Sequence, residues 1–258
     1  MTTVHGARQR ARTEITTAIK EEARRQLAAG GAAKLSLRSV ARELGMVSSA
    51  LYRYFPSRDD LLTALIIDAF DAVGAAAEAA AASDPSDPSD PAGPLREGGP
   101  RRPEPTAPHG RQVARWVAVA AAVRAWAVAH PHEYALIYGS PVPGYTAPMD
   151  TVGPAARVGM VLIGIARDAH RTEGLALPPL PEPLKGEARR IAEDIAPELP
   201  PAVAAALVAA WAQLFGLISF EVFGQFNRLV EDGEVFFRHT ARRIAAEVGL
   251  RGEPAARS

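Results

Sequence analysis

Four side chains have the types that carry catalytic or metal chemistry: His130, His132, Asp168 and His170. Imidazole and carboxylate groups together can ligate zinc or run acid–base catalysis. The His130-Pro131-His132 spacing straddles an expected helix break, however, and no third ligand falls at a chelating distance along the chain. Asp84, Asp87 and Asp90 belong to an Asp-Pro-Ser repeat, which explains them as low-complexity sequence rather than a carboxylate site. The absence of cysteine excludes disulfides, thiolate metal sites and cysteine nucleophiles, and it fits a reducing compartment. No catalytic constellation, metal site or cofactor is implied.

The remaining chemistry is hydrogen bonding and charge. Ser48, Ser49, Tyr52 and Arg53 crowd into one short region with Arg38 close before them, and all can bond base edges or phosphates. The chain of 258 residues has zero formal net charge, which looks unpromising for a nucleic-acid partner. Its distribution says otherwise. Residues 1–60 hold 11 Lys/Arg against 6 Asp/Glu, a net +5, and the other 198 hold 18 against 23, a net −5. A small basic module joined to an acidic body is the footprint of duplex-DNA binding.

The elements that must position these side chains are helical, with no convincing run of β-branched alternation, so the expected fold class is all-α. From Thr13, apolar residues Ile15, Ile19, Ala23 and Leu27 recur every fourth position until Gly30-Gly31. Leu37, Val40, Ala41 and Leu44 give a second helix with Ser36 as its cap, stopped by Gly45. Ser48–Phe55 forms a third, and a fourth starts after Pro56 with Ser57 and Asp60 approximating a capping box. Two short helices joined by a glycine turn are the helix-turn-helix plan, in which the second helix enters the major groove. Residues 1–57 are therefore read as a DNA-binding domain, with 58–82 a connecting helix. Residues 83–110, with eight prolines and four glycines, form a disordered loop that cannot bury enough surface to offset its ordering entropy. Residues 111–258 carry further helices at 112–129, 132–138, 154–170, 187–196, 200–230 and 234–248, expected to be a ligand-binding and dimerisation domain.

The stretch LSLRSVARELGMVSSALYRYFPSRDDLLTAL (Leu35–Leu65), and above all Ala50–Phe55 followed by Arg58 and Leu61-Leu62, closely resembles the DNA-binding region of the TetR family of bacterial regulators. The resemblance covers about residues 13–75. Trp126, His130-Pro131, Tyr134 and Gly139 look like the variable C-terminal domain of an actinobacterial subgroup, and the alanine, arginine and proline usage suits a high-GC genome. The resemblance implies that Ser36 caps the second helix and touches phosphate. It also implies that Ser48 and Ser49 start the recognition helix, and that Tyr52 and Tyr54 reach the backbone. Arg58 stands where the family usually has a phosphate-contacting lysine, and an arginine there keeps the charge. One position departs from the pattern: Val47 stands where a capping serine is usual, so either Ser48 caps the helix or the cap is lost.

In the C-terminal part, Trp126, Tyr134, Tyr138, Met160 and Phe215 are candidate walls of a pocket for a small apolar or aromatic ligand. Val203, Leu207, Ala210, Leu214 and Leu217, with Phe236, Thr240, Ile244 and Val248, make the expected surface for a homodimer built as a four-helix bundle. Leu199–Phe220 is uncharged for 22 residues, long enough to span a membrane, but it opens on prolines, is largely alanine and lacks a basic flank. It reads as a helix buried in protein. The polar, arginine-bearing start of the chain has no secretory character, and a cytoplasmic protein is expected. The reading is a repressor released from a palindromic operator by a ligand. Two alternatives stay open: a regulator that takes no small molecule, and a helical binding protein or enzyme whose N-terminal hairpin is merely structural.

Overall fold

The four-residue apolar rhythm at Ile15, Ile19, Ala23 and Leu27 gives α1 (Thr2–Gly30) the stripe it buries. Helix continues eleven residues further toward the N-terminus than the apolar pattern predicts, and residues 7–12 of that extension are exposed. Once Ile15 onward is packed, each added residue propagates an existing ladder rather than nucleating a new one. The computed structural model describes residues 2–83, 108–172 and 174–251. Most of the Pro-rich segment expected at 83–110 lies outside these residues, and Pro108 already opens a helix. The elements after α1 are α2 (Leu37–Glu43), α3 (Ser48–Leu51), α4 (Arg58–Ala82), α5 (Pro108–Ala129), α6 (Pro131–Tyr138), α7 (Val152–Arg171), α8 (Lys185–Ile195), α9 (Pro201–Val222) and α10 (Gly233–Val248). The described residues are helical with no strand, and a single isolated bridge pairs Leu175 with Leu250.

The chain divides into two units, Met1–Ala72 with His130–Ala155, and Val73–Ala129 with Ala156–Ser258. In the first, α1 packs on α2 and α6, and α2 on α3. Ile19, Val40, Leu51, Leu61 and Leu62 form its water-free centre, with Leu136, Val142 and Tyr145 packed against it. Ion pairs fasten the periphery. Asp68 of α4 takes Lys20 at 2.8 Å and Arg24 at 2.7 Å, and Arg24 also reaches Glu133 of α6 at 2.7 Å. The Tyr145 and Thr63 hydroxyls meet at 2.9 Å. The segment containing α6, grouped by sequence with the C-terminal part, is thus bonded to the N-terminal helices.

In the second unit, α10 packs on α5 and α9, and α8 packs on α9. Arg124 of α5 donates two hydrogen bonds to the Glu221 carboxylate, at 2.7 and 2.5 Å. Gly233 opens α10 beside this pair, where an added Cβ would lie 2.9 Å from a Glu221 oxygen. Asp232 caps α10 by accepting the Val235 amide at 2.9 Å. The sequence reading ran one helix from Pro200 to Val230, but α9 stops at Val222. Gly224, at φ 80°, ends it, with Gln225 donating to the Phe220 carbonyl at 2.8 Å and Gly224 to Glu221 at 3.1 Å. That paired bonding is a Schellman stop.

The expected dimer stripe is also corrected. Val203, Leu207, Ala210 and Leu214 of α9 and Ile244 and Val248 of α10 are buried within this unit. The outward face of α9 is nevertheless apolar, with Val208, Trp211 and Phe220 exposed, and Phe236 of α10 is exposed as well. Residues Met149–Arg171 and Pro201–Val222 are each long and apolar enough to cross a membrane. In α9, however, the apolar residues Val203 to Ile218 supply the buried seam of its own unit.

Candidate nucleic-acid interface

The turn between α2 and α3 sets the geometry of the candidate interface. Gly45 sits at φ 64°, a left-handed conformation that costs a side-chain-bearing residue energy. Around it, the Met46 amide donates to the Ala41 carbonyl at 2.8 Å and the Gly45 amide to Arg42 at 3.1 Å. This stop turns the chain within three residues. Ala41, small and buried, leaves room for α3 to pack on α2 through Leu37, Val40 and Leu51.

Burying Leu51 fixes which side of α3 faces water. Ser48, Ser49, Tyr52 and Arg53 are all exposed. The α-helical ladder is shorter than the expected 48–55, but turns continue it: Tyr54 and Phe55 both donate to the Leu51 carbonyl, at 2.8 and 3.1 Å. Arg38 of α2 is exposed beside this region in sequence. The structure brings these five polar side chains onto the helix-turn-helix surface, a row of hydroxyl, phenol and guanidinium groups fit for bases and phosphates.

The other expected contacts are used differently. Ser36 occupies the N-cap position of α2, yet its hydroxyl makes no capping hydrogen bond. Val47 occupies that position before α3, likewise without a side-chain cap, so Ser48 does not replace it and the cap is lost. Tyr54 is half-buried against the core, and the Arg12 guanidinium lies 5.7 Å from its ring centre. Arg58 turns inward: Nη2 donates to the Ala32 carbonyl at 2.8 Å and Nε to Leu35 at 3.2 Å, tying α4 to the turn before α2. Ser57 does cap α4, its hydroxyl accepting the Asp60 amide at 3.1 Å.

Two features escaped the sequence reading. Val47, scored only as a missing cap, is 70% exposed at the start of the recognition helix, an apolar side chain able to meet a thymine methyl. Arg8, Arg10 and Arg12 are exposed on the N-terminal part of α1. The signal for them was the arginine spacing ahead of Ile15, the first residue of the buried stripe.

The proposed ligand walls are divided between the two units. Tyr134 is fully buried and lies tilted against Tyr138 at a centroid separation of 5.2 Å, and Tyr138 meets Phe70 edge-on at 5.8 Å, an aromatic cluster of the first unit. Burial raises the pKa of the Tyr138 hydroxyl well above that of a free phenol, with Tyr134 adding to the effect. Trp126 and Phe215 belong to the second unit and are buried there. Met160 is 51% exposed on the outer side of α7, because α7 buries Val158, Leu162, Ile165 and Ala169 instead. A cavity of about 160 Å³ does open in the second unit, lined by alanines of α4 and α5, Phe237, Arg124 and Arg238, and by none of the five candidates. His130, His132, Asp168 and His170 form no metal-binding cluster among the described residues. Asp168 instead pairs with Arg115 at 3.0 Å and Arg171 at 2.6 Å.

Comparison with known proteins accounts for nearly the whole chain. Residues 19–65 match the family described as bacterial regulatory proteins, tetR family. Residues 116–244 match the tetracyclin repressor-like C-terminal domain. HTH-type transcriptional regulator Rv1816 of Mycobacterium tuberculosis is 39% identical over 253 residues, covering 93% of this chain and 95% of the relative. A counterpart in Mycobacterium bovis, Mb1846, matches to the same extent. Among solved structures, regulatory protein SCO4313 superposes with a TM-score of 0.70 at 30% identity, over 92% of this chain and 98% of the other. The TetR family transcriptional regulator PfmR of Thermus thermophilus shares the fold, with a TM-score of 0.53 at 17% identity over 92% of this chain and 98% of the other.

Proposed function

The chain belongs to the TetR family of DNA-binding transcriptional regulators, and on that premise we propose that it represses transcription from a palindromic operator as a cytoplasmic homodimer released by a small apolar or aromatic ligand. The observation that carries the DNA reading is the exposed row Ser48, Ser49, Tyr52 and Arg53, held outward by the Gly45 turn and the burial of Leu51. Arg38 and Ser36 extend that row toward the phosphate backbone. Val47 adds an apolar contact at its start. The uncharged, exposed face of α9 around Val208, Trp211 and Phe220 supports pairing with a second copy, which presents two recognition helices to successive major grooves.

Release would be a population shift. A ligand held among the helices of the second unit, where Trp126 and Phe215 are buried, favours a dimer whose recognition helices no longer match the groove spacing. One observation favours a regulator without a small molecule: the 160 Å³ cavity is smaller than the several hundred Å³ typical of ligand sites, and the wider one in this unit, about 340 Å³, is lined by Glu78, Arg115, Arg167, Asp168 and Arg171 rather than by aromatic walls.

The test is binding of the purified protein to its own upstream DNA, titrated across salt, against Tyr52→Ala and Arg53→Ala. Selective binding that falls steeply with salt and is weakened about tenfold or more by Tyr52→Ala supports the reading. Equal, weak binding to unrelated DNA, unchanged in both variants, overturns it. Adding a panel of hydrophobic metabolites to the formed complex tests release, and a complex that none of them dissociates favours the ligand-free regulator.

A further inference from the structure

α1 runs well past the core it belongs to. Ile15 is its first residue packed against that core, and residues 7–14 are all exposed. From Thr2 to Ile15 the helix extends about 20 Å at 1.5 Å per residue, without burying a side chain among those described. Its charge is one-sided. Residues 1–13 contain Arg8, Arg10 and Arg12 and no acid. None of the three arginines forms an ion pair among the described residues. A helix segment whose described residues 7–14 are all exposed and which carries unneutralised arginines is suited to a partner rather than to its own fold.

The stacking of Arg12 on Tyr54 shows where that partner lies. Tyr54 follows Tyr52 and Arg53, the exposed end of the recognition segment, so the Arg12 side of α1 adjoins the DNA-reading surface within one unit. Arg8 is one turn before Arg12 and shares its stripe, since residues four apart are neighbours on a helix. Arg10 falls roughly 160° away from both, in line with Glu14. We infer that the α1 extension is a second DNA-contacting element, in which Arg8 and Arg12 hold operator phosphates flanking the bases met by α3, while Arg10 takes no part. The inference rests on the DNA-binding reading above. Duplex DNA fits by charge complementarity: it presents one negative charge per about 1.7 Å of axis, and two guanidinium groups one turn apart on a helix can meet adjacent phosphates.

The experiment is anisotropy titration of a labelled upstream duplex across salt, with full-length wild type, Arg8→Gln, Arg10→Gln, Arg12→Gln and Arg12→Lys. Arg8→Gln and Arg12→Gln are expected to weaken binding about 3- to 10-fold and to reduce the magnitude of the salt slope by about 0.9 per subunit each. Arg10→Gln stays within about twofold of wild type. Arg12→Lys keeps the wild-type slope even where the ring contact is weakened, which a purely structural role for Arg12 would not produce. Wild-type binding with unchanged Arg8→Gln and Arg12→Gln overturns the inference alone. So does an Arg10→Gln loss as large as theirs. Wild-type protein that selects no duplex overturns the regulator reading and the inference with it.

Discussion

Arg58 separates a phosphate contact from a structural clasp, because family resemblance suggests the first and the geometry the second. In the structure its guanidinium donates to two backbone carbonyls, Ala32 at 2.8 Å and Leu35 at 3.2 Å. Arg58→Ala leaves both acceptors without this donor. A hydrogen bond to a charged group contributes about 1.5–3 kcal/mol when well made. The longer of the two bonds and the 30% exposure of the side chain argue for the low end, about 2 kcal/mol for the pair together. At about 2–4 °C per kcal/mol for a chain of this size, Tm should fall by about 4–8 °C. DNA affinity measured well below the transition should retain its salt slope, since the charge removed was already engaged with the protein.

The assay pairs thermal melts by circular dichroism with salt-dependent DNA titration for wild type, Arg58→Ala and Arg58→Lys. Lysine keeps the charge but presents one ammonium group in place of a two-pronged fork, so it should recover only part of the lost Tm. An Arg58→Ala protein that melts with wild type while its salt slope drops by about one per subunit refutes the clasp. It would show that the side chain swings out to phosphate.

The outward face of α9 gives a second expectation. Trp211→Arg places a charge where a partner copy would dehydrate it, and should weaken dimerisation at least about 100-fold, roughly 3 kcal/mol, in sedimentation equilibrium; an unchanged dimer places the interface elsewhere. A third concerns acid. Desolvation raises the Asp168 pKa, and hydrogen bonds and charge from Arg115 and Arg171 more than reverse this, holding it below its ordinary 3.8. The stabilisation is then present above the unfolded-state pKa and is lost as pH falls through the lower folded-state value. Asp168→Asn should therefore lower Tm at pH 6, and the difference from wild type should shrink as pH falls below the ordinary carboxylate range in matched melts. Parallel curves at all pH values would exclude the linkage.

What could be read from sequence was what local spacing encodes. The four-residue rhythm from Ile15 to Leu27, the Gly45 turn and the Ser57 cap each need only neighbours along the chain, and each is found. The turn at Gly224 was equally local and was missed, because the uninterrupted apolar run through α9 outweighed a single glycine. What failed were questions of partner. Periodicity marks a buried stripe but not its burial mate, so Val203, Leu207 and Leu214 were given to a second subunit when their own α8 and α10 cover them. Met160 was named a candidate pocket wall from the family resemblance, and its place on α7 leaves it half exposed. Arg58 and Arg53 read alike as cations near the recognition helix, and only the fold distinguishes their uses.

That distinction changes what the charge asymmetry means. Of the 11 basic residues in positions 1–60, Lys20 and Arg24 are engaged by Asp68 and Glu133, Arg25 by Glu22, Arg42 by Glu43 and Arg58 by backbone carbonyls. The remaining six are Arg8, Arg10, Arg12, Lys34, Arg38 and Arg53, exposed and in no ion pair among the described residues. Four of these six lie at the candidate interface: Arg8 and Arg12 on the α1 extension, Arg38 at the start of α2 and Arg53 at the end of the recognition segment. Charge far from the helix-turn-helix would raise nonspecific attraction without setting register. On the proposed DNA reading, charge left over at these places, after the fold has engaged the rest, would orient the module on the duplex so that the weak hydrogen-bonding groups Ser48, Ser49 and Tyr52 can select sequence. A net of +5 is thus a poor measure of the interface: what matters is which cations the fold leaves unspent, and where it leaves them.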